Sequence, residues 1–127
     1  MRALLTLAFV LAASHVSAQA YYGVLVYSAS TGKAGVSQNN ISKNLAKKEA
    51  LAMCNRAGGK KCRTARILKN ECGALAASRK STTLRQSWVS WGLENRRDAR
   101  KVALAECRKR HPNSGCKVLA VSCNLGK

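Results

Sequence analysis

The chain has 127 residues, with 23 Lys and Arg against 5 Asp and Glu and a formal net charge of +18. So few carboxylates exclude a protein built around acidic calcium loops, such as an EF-hand protein. The excess of one sign also makes it unfavourable for copies of the chain to associate with one another, because like charges repel. The length suits one small domain.

The first segment, residues 1–20, has the features of a secretion signal. Met1-Arg2 gives a positive start, residues 3–13 are apolar apart from Thr6, and small residues allow cleavage after Ala18 or Ala20. The apolar run is shorter than the roughly twenty residues that a spanning helix needs. We therefore predict a secreted or periplasmic protein, with a single domain over residues 21–127 and no integral membrane span.

The rest of the chain repeats one pattern. Residues 23–28 match residues 73–78 at an offset of 50, and residues 50–54 match residues 103–107 at an offset of 53. Each copy contains an alternating strand, a turn, a second strand, a helix and a final strand that begins at a cysteine. The pattern predicts an α+β fold of two pseudo-repeated halves, each a hairpin, a helix and a strand.

The turns and helices follow from local signals. Residues 30–32 mark the first hairpin, and a longer polar connection over residues 79–85 marks the second. The first helix is predicted from about Asn44 to Arg56, and the second from after Asn95 to before Pro112. Helical spacing gives each helix an inner stripe. The stripes are Leu45, Ala46, Ala50, Met53 and Ala57 in the first helix, and Ala99, Val102, Ala103 and Cys107 in the second.

Six cysteines follow the leader, and an even number in a short exported chain predicts disulfides. They are Cys54, Cys62, Cys72, Cys107, Cys116 and Cys123. The repeat favours Cys54–Cys62 and Cys107–Cys116, each joining a helix end to the next strand, and Cys72–Cys123 as a bridge between halves. Other pairings stay open, because a sequence does not fix connectivity. There is no Cys-x-x-Cys pair and only one histidine after the leader, so no metal site and no cofactor are expected.

The order of these features resembles a known family. A cysteine closes an alanine-rich helix, a second cysteine opens a strand, and residues 70–76 read NECGALA. Trp91-Gly92, a second alanine-rich helix and a last strand with Cys123 follow. Over residues 21–124 the chain is similar to the small exported bacterial family catalogued as domain of unknown function 4189. The resemblance implies export, a paired-half α+β fold and disulfides, and it implies no catalytic residues.

Residues suited to catalysis are few. His111 lies at a helix end among Arg108, Lys109 and Arg110, which favours a solvated terminus over a nuclease base beside bound phosphate. Phosphate-binding glycine loops and Gly-x-Ser-x-Gly elbows are absent from the sequence. We assign no catalysis.

Two carboxylates stand out by their helical position. Glu49 and Glu106 fall within the apolar stripes, where an unpaired carboxylate is costly. We expect Glu106 to pair with Arg110 four residues on, and Arg56 is the candidate partner of Glu49. A paired acidic site between the halves is the alternative hypothesis.

Clustered basic residues give the strongest functional signal. Basic density of this kind attracts polyanions at a distance. The candidate anion-binding residues are Lys60, Lys61, Arg63, Arg66 and Lys69 near one strand, and Arg96, Arg97, Arg100 and Lys101 in the second helix; Arg79, Lys80 and Arg85 add charge to the long hairpin. Trp88 and Trp91 are able to stack on bases or sugars. Being three apart on a strand, they are expected to face opposite sides, with at least one in the core.

These signals leave three classes of function. The first is an exported, disulfide-stabilised, cationic binding domain for an anionic partner: an anionic polymer, an anionic membrane surface or an acidic protein. The second is a secreted effector or toxin that disrupts membranes or cleaves a polyanion. The third is an immunity or inhibitor protein that docks on an acidic enzyme.

Overall fold

The structure, a computed structural model, describes residues 18–78, 87–113 and 115–127. The elements are β1 (Tyr22–Ser28), β2 (Lys33–Asn40), α1 (Lys43–Arg56), β3 (Arg63–Lys69), β4 (Cys72–Ser78), β5 (Ser87–Leu93), α2 (Arg96–Arg110) and β6 (Cys116–Cys123). Most of the predicted leader, with its apolar run, and the basic connection that carries Arg79, Lys80 and Arg85 lie outside these described residues. Within them, neither helix has the length and apolar character needed to cross a membrane.

Each half of the chain forms its own antiparallel sheet. The first sheet has the strand order β2-β1-β3, and the second has the order β5-β4-β6. One helix accompanies each sheet, because α1 packs on β1 and β2 while α2 packs on β4, β5 and β6. The predicted α+β fold with two similar halves is confirmed.

The two sheets pack face to face, with the helices outside them. Side chains of β1 alternate: Val24 and Val26 pack against α1, whereas Leu25 packs against residues of the second sheet, including Leu75. Residues of β4 alternate in the same way between α2 and the first sheet. The result is four layers in the order helix, sheet, sheet, helix, and both faces of β1 and β4 are covered.

Side-chain caps fix where the helices begin. The Ser42 hydroxyl accepts a hydrogen bond from the Leu45 N–H at 3.2 Å, so α1 begins one residue earlier than predicted. The Asn95 side chain accepts from the Asp98 N–H at 2.8 Å, and α2 begins directly after it, as predicted.

The buried stripes of the helices are narrower than predicted. They consist of small residues four apart, namely Ala46, Ala50 and Cys54 in α1, and Ala99, Ala103 and Cys107 in α2. Leu45, Met53 and Val102 were expected inside, but they are 53%, 41% and 39% exposed. Close approach of helix to sheet explains this, because a Cβ added to Gly35 of β2 would lie 1.9 Å from the Ala50 carbonyl oxygen. Larger side chains are therefore displaced to the helix margins.

The structure contains three disulfides, Cys54–Cys62, Cys72–Cys123 and Cys107–Cys116. These are the pairs that the repeat favours. The expectation that Cys72–Cys123 bridges the halves is wrong, because β4 and β6 are neighbours in the second sheet. The halves are joined instead by the apolar layer between the sheets and by buried hydrogen bonds, such as the one from the Ser122 hydroxyl to the Ser37 carbonyl at 2.7 Å.

Candidate anion-binding and aromatic sites

Three of the candidate basic residues line one cavity. Lys60, Lys61 and Arg63 are exposed and border a cavity of about 410 Å³. We call this cavity the basic pocket; its other lining residues are Tyr27, Ala29, Ser30, Thr64, Ala65 and Ser87. A cationic rim over a partly apolar floor suits a ligand that carries anionic groups on a less polar frame.

The two lysines of the basic pocket stand on a fixed turn. The Lys60 N–H donates to the buried Ser28 hydroxyl at 3.1 Å, and this hydroxyl donates to the Lys60 carbonyl. Lys61 has a φ of 52°, and Cys62 after it is bonded to Cys54. The backbone that presents both ammonium groups is therefore held from two sides.

The other candidate cations lie elsewhere on the surface. Arg96 and Arg100 line a second groove, beside Val121 of β6, and Arg96 donates to the Gln38 side chain. Arg97 and Lys101 are exposed on α2, and Lys69 is exposed at the end of β3. The structure thus separates the nine candidates into several groups and brings three of them together in the basic pocket.

Only one ion pair occurs in the part of the chain that the structure describes. The Arg97 Nε lies 3.5 Å from an Asp98 carboxylate oxygen. The Asn95 side-chain amide donates to the other oxygen of Asp98 at 2.9 Å. This hydrogen bond, with the charge of Arg97, lowers the pKa of the Asp98 carboxyl. Asp98 therefore acts as a capping residue of α2. Apart from Arg97, almost all described cations lack a carboxylate partner.

Both tryptophans line one groove, although they face opposite sides of β5 as expected: Trp88 packs beneath α2, whereas Trp91 meets Arg66 of the first sheet. The groove has a volume of about 240 Å³, and we call it the tryptophan groove; its lining residues are Trp88, Val89, Ser90, Trp91, Val102 and Glu106. The pairing of β5 with β4 shifts register between Cys72 and Ala74, and Gly92 has a φ of 74°. Such a β-bulge bends a strand locally, and Trp91 lies at its start.

Each tryptophan ring has an arginine over it. The Arg66 guanidinium carbon lies 4.0 Å from the centre of the Trp91 ring, and that of Arg110 lies 3.9 Å from the Trp88 ring. Trp88 is half-buried and packs against the core beneath α2, whereas Trp91 is 47% exposed. Arg110 thus stacks on a ring, and the ion pair expected between Arg110 and Glu106 is not formed.

The two carboxylates expected in apolar stripes have different surroundings. Glu49 is exposed and Glu106 is half-buried. They lie in separate grooves, Glu49 near Arg96 and Glu106 beside the tryptophans. The burial expected for Glu49 is wrong, since small residues rather than the whole predicted stripe contact the sheet. A paired acidic site between the halves is therefore not formed.

The family model for a domain of unknown function, number 4189, matches residues 22–123. The chain belongs to this family. Neither curated proteins nor solved structures gave a match.

In this member of the family, the matched region contains the six strands and two helices of the described residues and the three disulfides. It also contains the basic pocket and the tryptophan groove. The two arginine–tryptophan stacks were missed by sequence reasoning, because Arg66 and Trp91 are far apart in the chain and meet only through the fold. The proximity of Arg110 to Trp88 likewise depends on how α2 lies across β5.

Proposed function

We propose that this domain is an exported binding protein for an anionic polymer, and that the basic pocket holds charged groups of that polymer. The observation that carries the proposal is the convergence of Lys60, Lys61 and Arg63 on one cavity. Cations that lie close together and lack carboxylate partners repel one another, and a bound anionic ligand relieves that repulsion.

The fixed backbone of the pocket favours binding further. A preorganised site loses less conformational entropy when a ligand binds. The turn at Lys60 and Lys61 is held by the Ser28 hydroxyl and by the disulfide at Cys62, so only the lysine side chains have to be ordered.

An extended partner fits the distribution of charge better than a small anion. Exposed cations lie at the basic pocket, at the end of β3 and along α2, and no single small ligand spans these regions. A polymer neutralises several groups at once and releases counter-ions from each contact. Three disulfides are compatible with action outside the cytoplasm.

The test compares two triple variants that remove the same charge. Lys60→Gln/Lys61→Asn/Arg63→Gln empties the basic pocket of cations, and Asn is chosen at position 61 because it tolerates a positive φ. The control, Lys43→Gln/Lys47→Gln/Lys48→Gln, removes three exposed lysines of α1. Binding is measured against salt with a single-stranded oligonucleotide, a heparin fragment, phosphatidylglycerol vesicles and polyglutamate.

We expect salt-dependent binding of a polymer that the pocket variant weakens far more than the control does. On a single-stranded oligonucleotide, each lost phosphate contact lowers the salt slope by about 0.7, so the pocket variant loses up to about 2. Equal loss in both variants would contradict the role of the pocket, and absence of polymer binding would refute the proposal. Preference for vesicles or polyglutamate would identify a membrane or an acidic protein as the partner, and cleavage of a probe would favour a secreted effector.

A further inference from the structure

The tryptophan groove has a counterpart in the first half of the chain. A groove of about 430 Å³ lies between α1 and the edge strand β2. Five of its lining residues, each shifted by 53 positions, give five lining residues of the tryptophan groove. These residues are Val36, Ser37, Gln38, Glu49 and Met53, and their equivalents are Val89, Ser90, Trp91, Val102 and Glu106.

The two grooves differ in what covers them. In the first, Gln38 accepts a hydrogen bond from Arg96 of the other half, and Val121 of β6 also lines the groove. In the second, every lining residue comes from the second half. Trp91 replaces Gln38 there and remains 47% exposed. The first groove is therefore part of the contact between the halves. The second is open to a ligand, and the first half reaches it only through Arg66, which lies over the Trp91 ring.

The open groove combines an aromatic surface with one carboxylate. The Ser90 hydroxyl is already engaged, since it donates to the Ala99 carbonyl at 2.7 Å and accepts from the Ala74 N–H at 3.0 Å. Glu106 is then the charged side chain of the lining, and an ionised carboxylate accepts hydrogen bonds only. A volume of about 240 Å³ is below the range of pockets for drug-sized ligands, roughly 300–1,000 Å³, and suits a single ring.

The two stacked arginines add anion-binding groups at the sides. A guanidinium that lies flat on a ring keeps its N–H groups at its edge, where they are able to donate to phosphate. Arg66 and Arg110 therefore place cationic donors next to each tryptophan.

We propose that the tryptophan groove holds an unpaired base of a single-stranded nucleic acid, stacked beside Trp91, with the neighbouring phosphates on Arg66 and Arg110. This inference rests on the proposed function and names its polymer. Nucleic acid fits better than an acidic polysaccharide because of where the negative charge lies. In an acidic polysaccharide the charge is on the ring itself and would face Glu106, whereas in a nucleic acid it is on the phosphate and the base is uncharged.

The experiment compares an oligo-dC with an abasic oligomer of the same phosphate number. The wild-type protein is expected to bind the oligo-dC more tightly, by roughly 5- to 150-fold for each stacked base. Trp91→Ala removes this difference, Trp91→Phe retains most of it, and the matched control Gln38→Ala in the first groove leaves it unchanged. Oligo-dC, but not the abasic oligomer, is expected to change the tryptophan fluorescence of the wild-type protein, a readout that needs no variant.

A second comparison tests Glu106. Cytosine carries an exocyclic amino donor that a carboxylate accepts, whereas the N3–H donor of an unpaired thymine is flanked by two carbonyl oxygens that a carboxylate repels. The wild type should therefore prefer oligo-dC over oligo-dT, and Glu106→Gln should reduce this preference while it strengthens binding of both by removing a negative charge.

The outcomes separate this inference from the proposed function. Salt-dependent binding of dC and abasic oligomers with equal affinity would overturn the inference and leave the proposed function standing. Absence of binding to every polymer would overturn both. A heparin fragment that loses as much affinity as oligo-dC in Trp91→Ala would identify a sugar ring as the occupant and overturn the inference.

Discussion

A buried serine in each half accepts a hydrogen bond from a backbone N–H of the neighbouring strand. In the second half, the Ser90 hydroxyl accepts from the Ala74 N–H at 3.0 Å and donates to the Ala99 carbonyl at 2.7 Å. Ser37 makes the equivalent bonds in the first half, to the Val24 N–H at 3.1 Å and the Ala46 carbonyl at 2.7 Å. Each bond lies beside a register shift in the ladder. The serine thus joins a bulge to the helix above it.

The variant Ser90→Ala tests this function of the hydroxyl. The Ala74 N–H becomes a buried donor without a partner, and such a group costs about 1–3 kcal/mol. The Ala99 carbonyl loses less, because a carbonyl inside a helix also accepts the bond of the helix itself. For a domain of this size, 1 kcal/mol lowers the Tm by about 4–8 °C, so we expect a decrease of roughly 5–20 °C.

The assay is urea and thermal unfolding followed by circular dichroism, with the disulfides intact. Ser30→Ala is the control, since Ser30 is exposed and its hydrogen bond to the Lys60 carbonyl is 3.4 Å long. We expect that control to stay within about 0.5 kcal/mol of wild type. A Tm of Ser90→Ala equal to that of wild type would refute the reasoning, because the N–H would then have another partner. Ser37→Ala should repeat the loss in the first half.

Three further predictions concern the covalent links, a helix cap and the closest helix–sheet contact. Reduction of the disulfides is expected to unfold the domain, since loops of 8, 9 and 51 residues contribute about 2.5, 2.5 and 4 kcal/mol in the chain-entropy model; a melt unchanged by reductant would contradict this. The pKa of Asp98 is lowered by folding, so its contribution to stability is present above the ordinary pKa of 3.8 and is lost as the pH falls through the folded pKa. Asp98→Asn should flatten that acid limb in a pH series of urea midpoints, and an unchanged limb would exclude this role. Gly35→Ala places a Cβ 1.9 Å from the Ala50 carbonyl oxygen, and overpacking of this kind costs about 1–3 kcal/mol or more; a urea midpoint equal to wild type would show that α1 moves away freely.

Much of the fold follows from local patterns that the sequence displays directly. Asn95 and Pro112 bracket the second helix as predicted, and the matched halves predict two equivalent units. These signals are local because a cap or a turn involves neighbouring residues only.

The errors came from contacts between distant elements. Helical angle alone placed Glu49 inside, but close packing against Gly35 leaves contact only for small residues of α1. Strand alternation placed Trp88 and Trp91 on opposite sides, which agrees with their contacts, but it did not indicate that both residues border one groove. Charge density indicated basic residues of interest, yet only the fold determines that three of them share a cavity while Arg66 lies on a ring.

The contact between the two halves determines which single exchanges alter the way the halves fit together. Gln38 is tied to Arg96 across this contact, so an exchange at that position alters how the halves fit. Position 91 is its equivalent on the opposite side, where the groove is lined by one half alone. Trp91 is nevertheless in contact with Arg66 of the first half, so each of the two equivalent positions links its own half to an arginine of the other, and an exchange at either one is expected to alter the joint.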